Sequence, residues 1–279
     1  MHDMVLTLVV QGPGVQESRG PGVEGPDGIP CSGVLPAPSF GHLVIAWTDV
    51  RLLPGDTAAE WVRSLPDDEQ ARFAKYRHAP SAHEFLVGRL LARRWLAALT
   101  GTAAAGIALV EGPRGRPAIA APATSLQFNL AHSGGVVACI LSDGREAGVD
   151  VEYLDRRPVP ADLWHRFCAP SEIADIEAQP LDARQHRFLT YWTLKEAYLK
   201  ARGLGIAVEL ADVAFSVTGL HPTVAFRESL DGTPADWAFG MFEAGPRHLI
   251  SWATPQAPGT PRPAVDIHFV AVDTLDPAS

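Results

Sequence analysis

Two stretches of this 279-residue chain carry the same order of predicted elements, and that repetition is the tightest constraint on its fold. The first opens on a compact apolar strand, His42-Leu43-Val44-Ile45-Ala46-Trp47, then short helices near 57–64 and 67–76 lead to a long helix over 81–100. Strands over 106–111, 125–130 and 135–142 follow it. The second opens on a strand over 147–153, passes short helices near 161–168 and 171–178, and reaches a long helix over 183–202. Strands near 211–217, 222–227, 236–243 and 248–253 complete it. Ser81-Ala82-His83-Glu84 reads as a capping box, while Gly101 and Gly203 stand just past the two long helices. The repeat, of about 100 residues, exists only in the order of elements and not in the residues themselves. It predicts an α+β fold of two similar halves packed together, with the cleft between them a natural ligand site.

The repeat also sets the expected boundaries. Between Gln11 and Pro38, 13 of 28 residues are Gly or Pro, so residues 1–38 read as a mobile, disordered extension. The halves then fall at 39–145 and 146–255, with a C-terminal extension over 256–279 whose run Val265 to Val272 has the alternation of an edge strand. Lys and Arg number 23 against 32 Asp and Glu, a net charge of −9, which argues against a general nucleic-acid binder. Cys31, Cys139 and Cys168 form no Cys-x-x-Cys pair, so neither a zinc knuckle nor a disulfide framework is indicated. No run of 18 apolar residues and no signal-peptide pattern is present, and a cytoplasmic, membrane-free protein is expected. Walker loops, G-x-S-x-G elbows and H-E-x-x-H helices are also missing.

Four segments can carry chemistry. Gly148-Val149-Asp150-Val151-Glu152 puts two carboxylates on one face of a strand, where mutual repulsion favours a cation such as magnesium or manganese. Taken alone, the pentapeptide is better explained as an amphipathic strand with a solvated acidic face. Trp192, Glu196 and Lys200 fall at i, i+4 and i+8 of an aromatic-rich helix and form one stripe. That stripe is either an exposed Glu–Lys pair or a third metal oxygen followed by a cation for phosphate. Asn129-Leu130-Ala131-His132-Ser133-Gly134-Gly135 ends a strand with an imidazole beside backbone amides that can line an anion site, although a lone His is commonly structural. Gly115-Arg116-Pro117 sits in a stiff loop that also carries Arg114, and an ordinary surface loop would look the same. Residues 71–95 add Arg72, Lys75, Arg77, Arg89, Arg93 and Arg94 against the single acid Glu84. Arg89 follows Gly88 in an apolar run and is placed to hold a phosphate with bidentate hydrogen bonds.

In order along the chain, these segments resemble the motifs of the 4′-phosphopantetheinyl transferases of the Sfp type. The matching blocks are Gly115-Arg116-Pro117, Asn129-Leu130-Ala131-His132-Ser133, Gly148-Val149-Asp150-Val151-Glu152, and Trp192-Thr193-Leu194-Lys195-Glu196-Ala197-Tyr198-Leu199-Lys200 with Gly203-Leu204-Gly205 behind it. The resemblance spans residues 42–255 and implies a pseudo-twofold monomer of two similar α+β halves, with the active site in the cleft between them, that moves the phosphopantetheine arm of coenzyme A onto a serine of an apo acyl or peptidyl carrier protein. It also implies magnesium dependence and release of 3′,5′-ADP. Other readings of the same acids are a metal-dependent phosphohydrolase or nuclease, and a non-catalytic coenzyme A or carrier-protein binding module.

The resemblance assigns roles residue by residue. Asp150, Glu152 and Glu196 look like the metal set, with Glu196 also a candidate base, and Lys200 stabilises charge on the leaving phosphate. His132 looks like the pyrophosphate contact, and Arg89, with Arg72 as a weaker candidate, like the 3′-phosphate ligand. Arg116 stands where the family commonly has Lys. Ala131 replaces a serine common before the His, so a hydroxyl contact with coenzyme A is lost there. The stretch from Arg156-Arg157-Pro158 onward is the expected docking patch for the carrier.

Overall fold

The computed structural model describes residues 37–38, 42–53, 57–112, 115–203, 209–218, 222–227 and 236–277. The expectation for residues 1–38 thus lies almost wholly outside the described residues, as do Arg114, Leu204 and Gly205.

The first half runs β1 (His42–Asp49), α1 (Ala58–Arg63), α2 (Asp67–Phe73), α3 (Ala79–Thr100), β2 (Ala108–Glu111), β3 (Pro117–Ala121), β4 (Leu126–Ser133) and β5 (Val136–Asp143). The second runs β6 (Gly148–Tyr153), α4 (Pro170–Ala178), α5 (Arg184–Arg202), β7 (Val213–Ser216), β8 (Thr223–Phe226), β9 (Trp237–Glu243) and β10 (His248–Pro255). The predicted repeat is therefore present, and the topology makes it stricter. In one sheet β1, β5 and β4 lie side by side; in the other β6, β10 and β9 take the same order. The hairpins β2–β3 and β7–β8 occupy equivalent places. Strand β3 escapes the sequence reading because Pro117-Ala118-Ile119-Ala120-Ala121 has only one large apolar side chain and begins with proline, which a strand tolerates in its first position.

One other expectation needs correction. Helix α3 starts at Ala79, with Pro80 in its first turn, so Ser81-Ala82-His83-Glu84 caps nothing. Its Glu84 is buried and used elsewhere. The C-terminal run does form the expected edge strand, β11 (Ala264–Phe269), which pairs in parallel with β1 at the rim of the first half's sheet. Val270, Val272 and Leu275 beyond it enter the core under α3, and Arg94 donates to the Asp276 carbonyl at 2.9 Å.

Three apolar cores stack through the molecule. The first lies between α3 and one face of the four-stranded sheet, with Leu86, Leu91 and Trp95 against Val44, Val137 and Cys139. The second fills the space between the two sheets, where Ile45, Trp47 and Ile140 meet Val149, Val151, Ile250 and Trp252. The third lies under α5. Because β1 and β5 are covered on both faces, their sequences are continuous apolar runs, not alternations. Side chains stitch β6 to β4 along the seam: the Val149 amide donates to Asn129 Oδ1 at 3.1 Å and the Tyr153 amide to Ser133 Oγ at 3.2 Å. His248, 1 % exposed, crosses the same seam with Nε2 3.2 Å from the Gly134 carbonyl.

Two outcomes follow from this packing. Leu275→Ala removes a side chain from the first core and should cost about 2–4 kcal/mol of unfolding free energy, read from a urea midpoint. Burial holds His248 below the ordinary imidazole pKa, against the opposing hydrogen bond to Gly134. The unfolded chain then binds a proton that the folded chain refuses. The stability contribution of His248 is present above the unfolded value of about 6.5 and is lost as pH falls through it. Unfolding at pH 7.5 and 5.5 should show a smaller drop in His248→Gln than in the parent.

Candidate active site

The site forms where α5 lies across β6. Gly148, Asp150 and Glu152 face the helix, while Val149 and Val151 face the core between the sheets. A Cβ at position 148 would collide with the Ala197 carbonyl and the Ala201 amide, so only glycine permits this approach. Between Phe188 and Lys200 the only residues not fully buried are Trp192, Glu196 and Lys200. The stripe at i, i+4 and i+8 is therefore the edge of α5 that borders the cleft.

Neither solvated alternative holds for these groups. Asp150 and Glu152 are 7 % and 6 % exposed. Lys200 Nζ donates to Asp150 Oδ1 at 2.6 Å, so its partner is the strand acid and not Glu196 one turn earlier. Arg156, expected at a carrier-docking patch, turns back onto Glu152, with Nη1 3.0 and 2.8 Å from its two oxygens. Burial raises the pKa of all three acids. Asp150 raises Glu152 and Glu196 further, Lys200 opposes the shift on Asp150 and Glu196, and Arg156 and Trp192 oppose it on Glu152.

Asp150 Oδ2 is buried without a hydrogen-bond partner. An orphan carboxylate oxygen beside two further acids, all disfavoured as anions, is the environment a hard divalent cation relieves. The donor set therefore fits such an ion. Among the described residues no three acidic, His or Cys side chains already converge as a cage. Lys200 and Arg156 supply the compensating charge in this arrangement.

Across the seam lies a pocket of about 120 Å³ lined by Arg72, Arg89, Gly115 and His132, among others. Phe85 carries both guanidiniums, with Cζ of Arg72 and Arg89 at 5.6 and 5.2 Å from the ring centroid. Arg89 is 3.7 Å from Glu69, and Arg72 is 3.3 Å from Glu111. His132 and Leu130 share the face of β4 that lines this pocket, and a protonated His132 would favour the anionic form of Asp150. The pocket and the acid cluster are thus neighbours.

Two residues assigned to coenzyme A are placed elsewhere. Ala131 points into the core between the sheets, on the face opposite His132. Arg116 does not line the pocket: its guanidinium donates to the carbonyls of Lys200 at 2.7 Å, Ala147 at 3.1 Å, Ala201 at 3.3 Å and Phe128 at 3.4 Å. A guanidinium spent on four carbonyls from both halves is a clamp on the end of α5, and the loop offers the pocket Gly115 and Pro117 instead.

The sequence reading missed two buried acids. Glu84 Oε2 lies 2.9 Å from His132 Nδ1, and Oε1 accepts the Gly135 amide at 2.7 Å. Its signal was its position as the lone acid in a basic segment. Glu172 pairs with Lys195 at 2.5 Å, both fully buried, and Lys195 also donates to the Phe167 and Leu210 carbonyls. Burial pushes Glu172 up and Lys195 down while each partner resists the other's shift. The two lysines of the α5 block therefore differ: Lys200 borders the cleft and Lys195 braces the helix.

Known proteins agree with this architecture. Residues 146–253 match the model of the 4′-phosphopantetheinyl transferase superfamily, and residues 56–143 match that of the N-terminal part of a 4′-phosphopantetheinyl transferase. The chain is 31 % identical to the 4′-phosphopantetheinyl transferase HetI of Nostoc sp. over 171 residues, 61 % of this chain and 72 % of that one. It is 30 % identical to a 4′-phosphopantetheinyl transferase of Bacillus subtilis over 143 residues, 51 % and 62 % of the two chains. The L-aminoadipate-semialdehyde dehydrogenase-phosphopantetheinyl transferase of Mus musculus is 26 % identical over 252 residues, 83 % and 81 % of the two chains. The chain belongs to the 4′-phosphopantetheinyl transferase superfamily. Within it, the two matched segments and the repeated topology make it a member of the two-half type.

Lys195→Met leaves Glu172 as an uncompensated buried acid and should cost about 3–5 kcal/mol in chemical denaturation. Replacing both partners with apolar residues should recover part of that loss.

Proposed function

We propose that this protein transfers the 4′-phosphopantetheine arm of coenzyme A to a serine of an apo acyl or peptidyl carrier protein, in a magnesium-dependent reaction that releases 3′,5′-ADP. One observation carries the reading: a pocket bordered by Arg72, Arg89 and His132 adjoins a buried acid cluster that includes a cation-bordered helix edge. Coenzyme A has the matching asymmetry, with a phosphorylated ribose at one end and a pyrophosphate joining it to the arm.

In this reading Arg89 and Arg72 bind the 3′-phosphate through charge-assisted hydrogen bonds and His132 orients the pyrophosphate. Asp150, Glu152 and Glu196 would hold a divalent cation, which when bound supplies charge neutralisation at the pyrophosphate. Glu196, whose proton affinity burial and Asp150 raise, takes the proton from the carrier serine as its oxygen attacks the β-phosphorus. Lys200, partly exposed at the cleft, stabilises charge on the departing 3′,5′-ADP. Both halves of the site come from one chain, which supports a monomer as the acting unit. No helix among the described residues is long and apolar enough to cross a membrane. Cys139 and Cys168 are buried free thiols, and we place the reaction in the cytoplasm.

Incubation with apo carrier proteins, coenzyme A and magnesium should add the mass of one phosphopantetheine to a carrier, and EDTA should prevent it. Asp150→Ala and Glu196→Gln should abolish the mass gain while retaining a cooperative unfolding transition. Turnover by either variant at the parent's rate would refute the assignment.

A further inference from the structure

His132 does not stand alone at the pocket. Its Nδ1 is 2.9 Å from Glu84 Oε2, and Glu84 is only 6 % exposed. The other carboxylate oxygen accepts the amide of Gly135, so both ends of the turn after His132 are tied to one side chain on α3. The turn is held from further directions as well. The Val50 amide donates to the Gly135 carbonyl at 2.7 Å, and His248 reaches the Gly134 carbonyl from β10.

The chemistry of this contact restricts the imidazole. A carboxylate only accepts hydrogen bonds, so His132 must give its Nδ1 proton to Glu84. Burial alone would raise Glu84, but the hydrogen bonds from His132 and Gly135 outweigh it and pull its pKa below the ordinary value, which keeps it ionised. With Nδ1 committed, a neutral ring offers Nε2 as a bare acceptor, which a phosphate oxygen cannot use. Only the ring protonated on both nitrogens can donate from Nε2 to an anion while holding Glu84.

We propose that Glu84 is a positioning residue that fixes the ring of His132 and makes its contact with the pyrophosphate depend on a proton taken up together with coenzyme A. The inference rests on the coenzyme A reading of the pocket. Other charged groups bear on the same ring or its partner. Arg89 on α3, Arg72 on α2 and Tyr76 share the pocket, and Asp150 on β6 lies within electrostatic range of His132. His78 acts on Glu84, and His248 and Arg51 flank the Gly134–Gly135 turn. None of these is bonded to Nδ1, and the proton requirement therefore belongs to the Glu84 contact.

Glu84→Gln separates this role from simple bracing. The Gly135 amide holds the side-chain oxygen in place, so the substituted amide turns its NH2 toward Nδ1. His132 must then accept at Nδ1 and carry its proton on Nε2, where a neutral ring donates to the anion without proton uptake.

The experiment is calorimetric titration of full-length protein with coenzyme A and magnesium, in two buffers of different ionisation enthalpy, for the parent, Glu84→Gln and His132→Ala. The parent should take up more protons per bound coenzyme A than Glu84→Gln, and Glu84→Gln should bind more weakly on the order of 10-fold. A bracing role alone would lower the thermal midpoint of the variant and leave its proton count at the parent's value, which would overturn the proposal. Equal affinity and equal proton count in the parent and Glu84→Gln would overturn it as well. If His132→Ala also binds with parental affinity and proton count, the pocket reading itself falls. If only Glu84→Gln is silent, the Glu84 inference falls alone.

Discussion

Everything in the candidate site depends on how closely α5 can approach β6. With glycine at position 148, the backbone of the strand comes against the carbonyl of Ala197, and no other side chain could stand there. That approach brings Asp150 and Glu152 within reach of Glu196 and Lys200, residues about 45 positions away along the chain. The helix is held from three sides. The Lys195–Glu172 pair braces a buried face, Arg116 grips its last carbonyls, and the aromatic side chains of the third core fill the space beneath it. Precision in a polar site of this kind comes from such rigid support and not from the polar groups themselves.

The cost of the site is electrostatic. Three acids sit partly or wholly buried within range of one another, and each is harder to ionise for it. Lys200 and Arg156 offset that cost on the strand pair, while Asp150 keeps one oxygen without a partner. Stability by itself would favour apolar residues here, since buried ion pairs rarely repay their desolvation. Such unrepaid polarity in a cleft is what marks a chemical site. The Glu172–Lys195 pair shows the contrast: it is fully satisfied by amides and carbonyls and reads as architecture.

The repeat divides the labour. In the first half the loop before β3, the long helix and the end of β4 surround a cationic pocket; in the second the equivalent opening strand and long helix supply the acids. The same topology thus presents opposite charge on its two sides of the seam. Strand β11 breaks the symmetry, adding a fourth strand to the first sheet and closing the core under α3.

Much of this was legible in the sequence because it is written at short range. Glycines just past their ends marked the two long helices, the alternation around Asp150 put both acids on one face, and the spacing from Trp192 to Lys200 fixed one helix edge. Those are local geometric facts of strand and helix. What the sequence could not contain is which side chains meet across distance. Arg116 looked like a ligand contact because it stands where the family commonly has Lys, yet folding placed four carbonyls around it. Glu84 looked like a cap because of its spacing from Ser81, but proline moved the helix start and left the acid to His132, 48 positions away. Lys195 and Lys200 are the same residue type in one motif, and only burial against Glu172 or exposure beside Asp150 separates them. Charge pairing and burial are properties of the packed chain, so tertiary structure alone decided them.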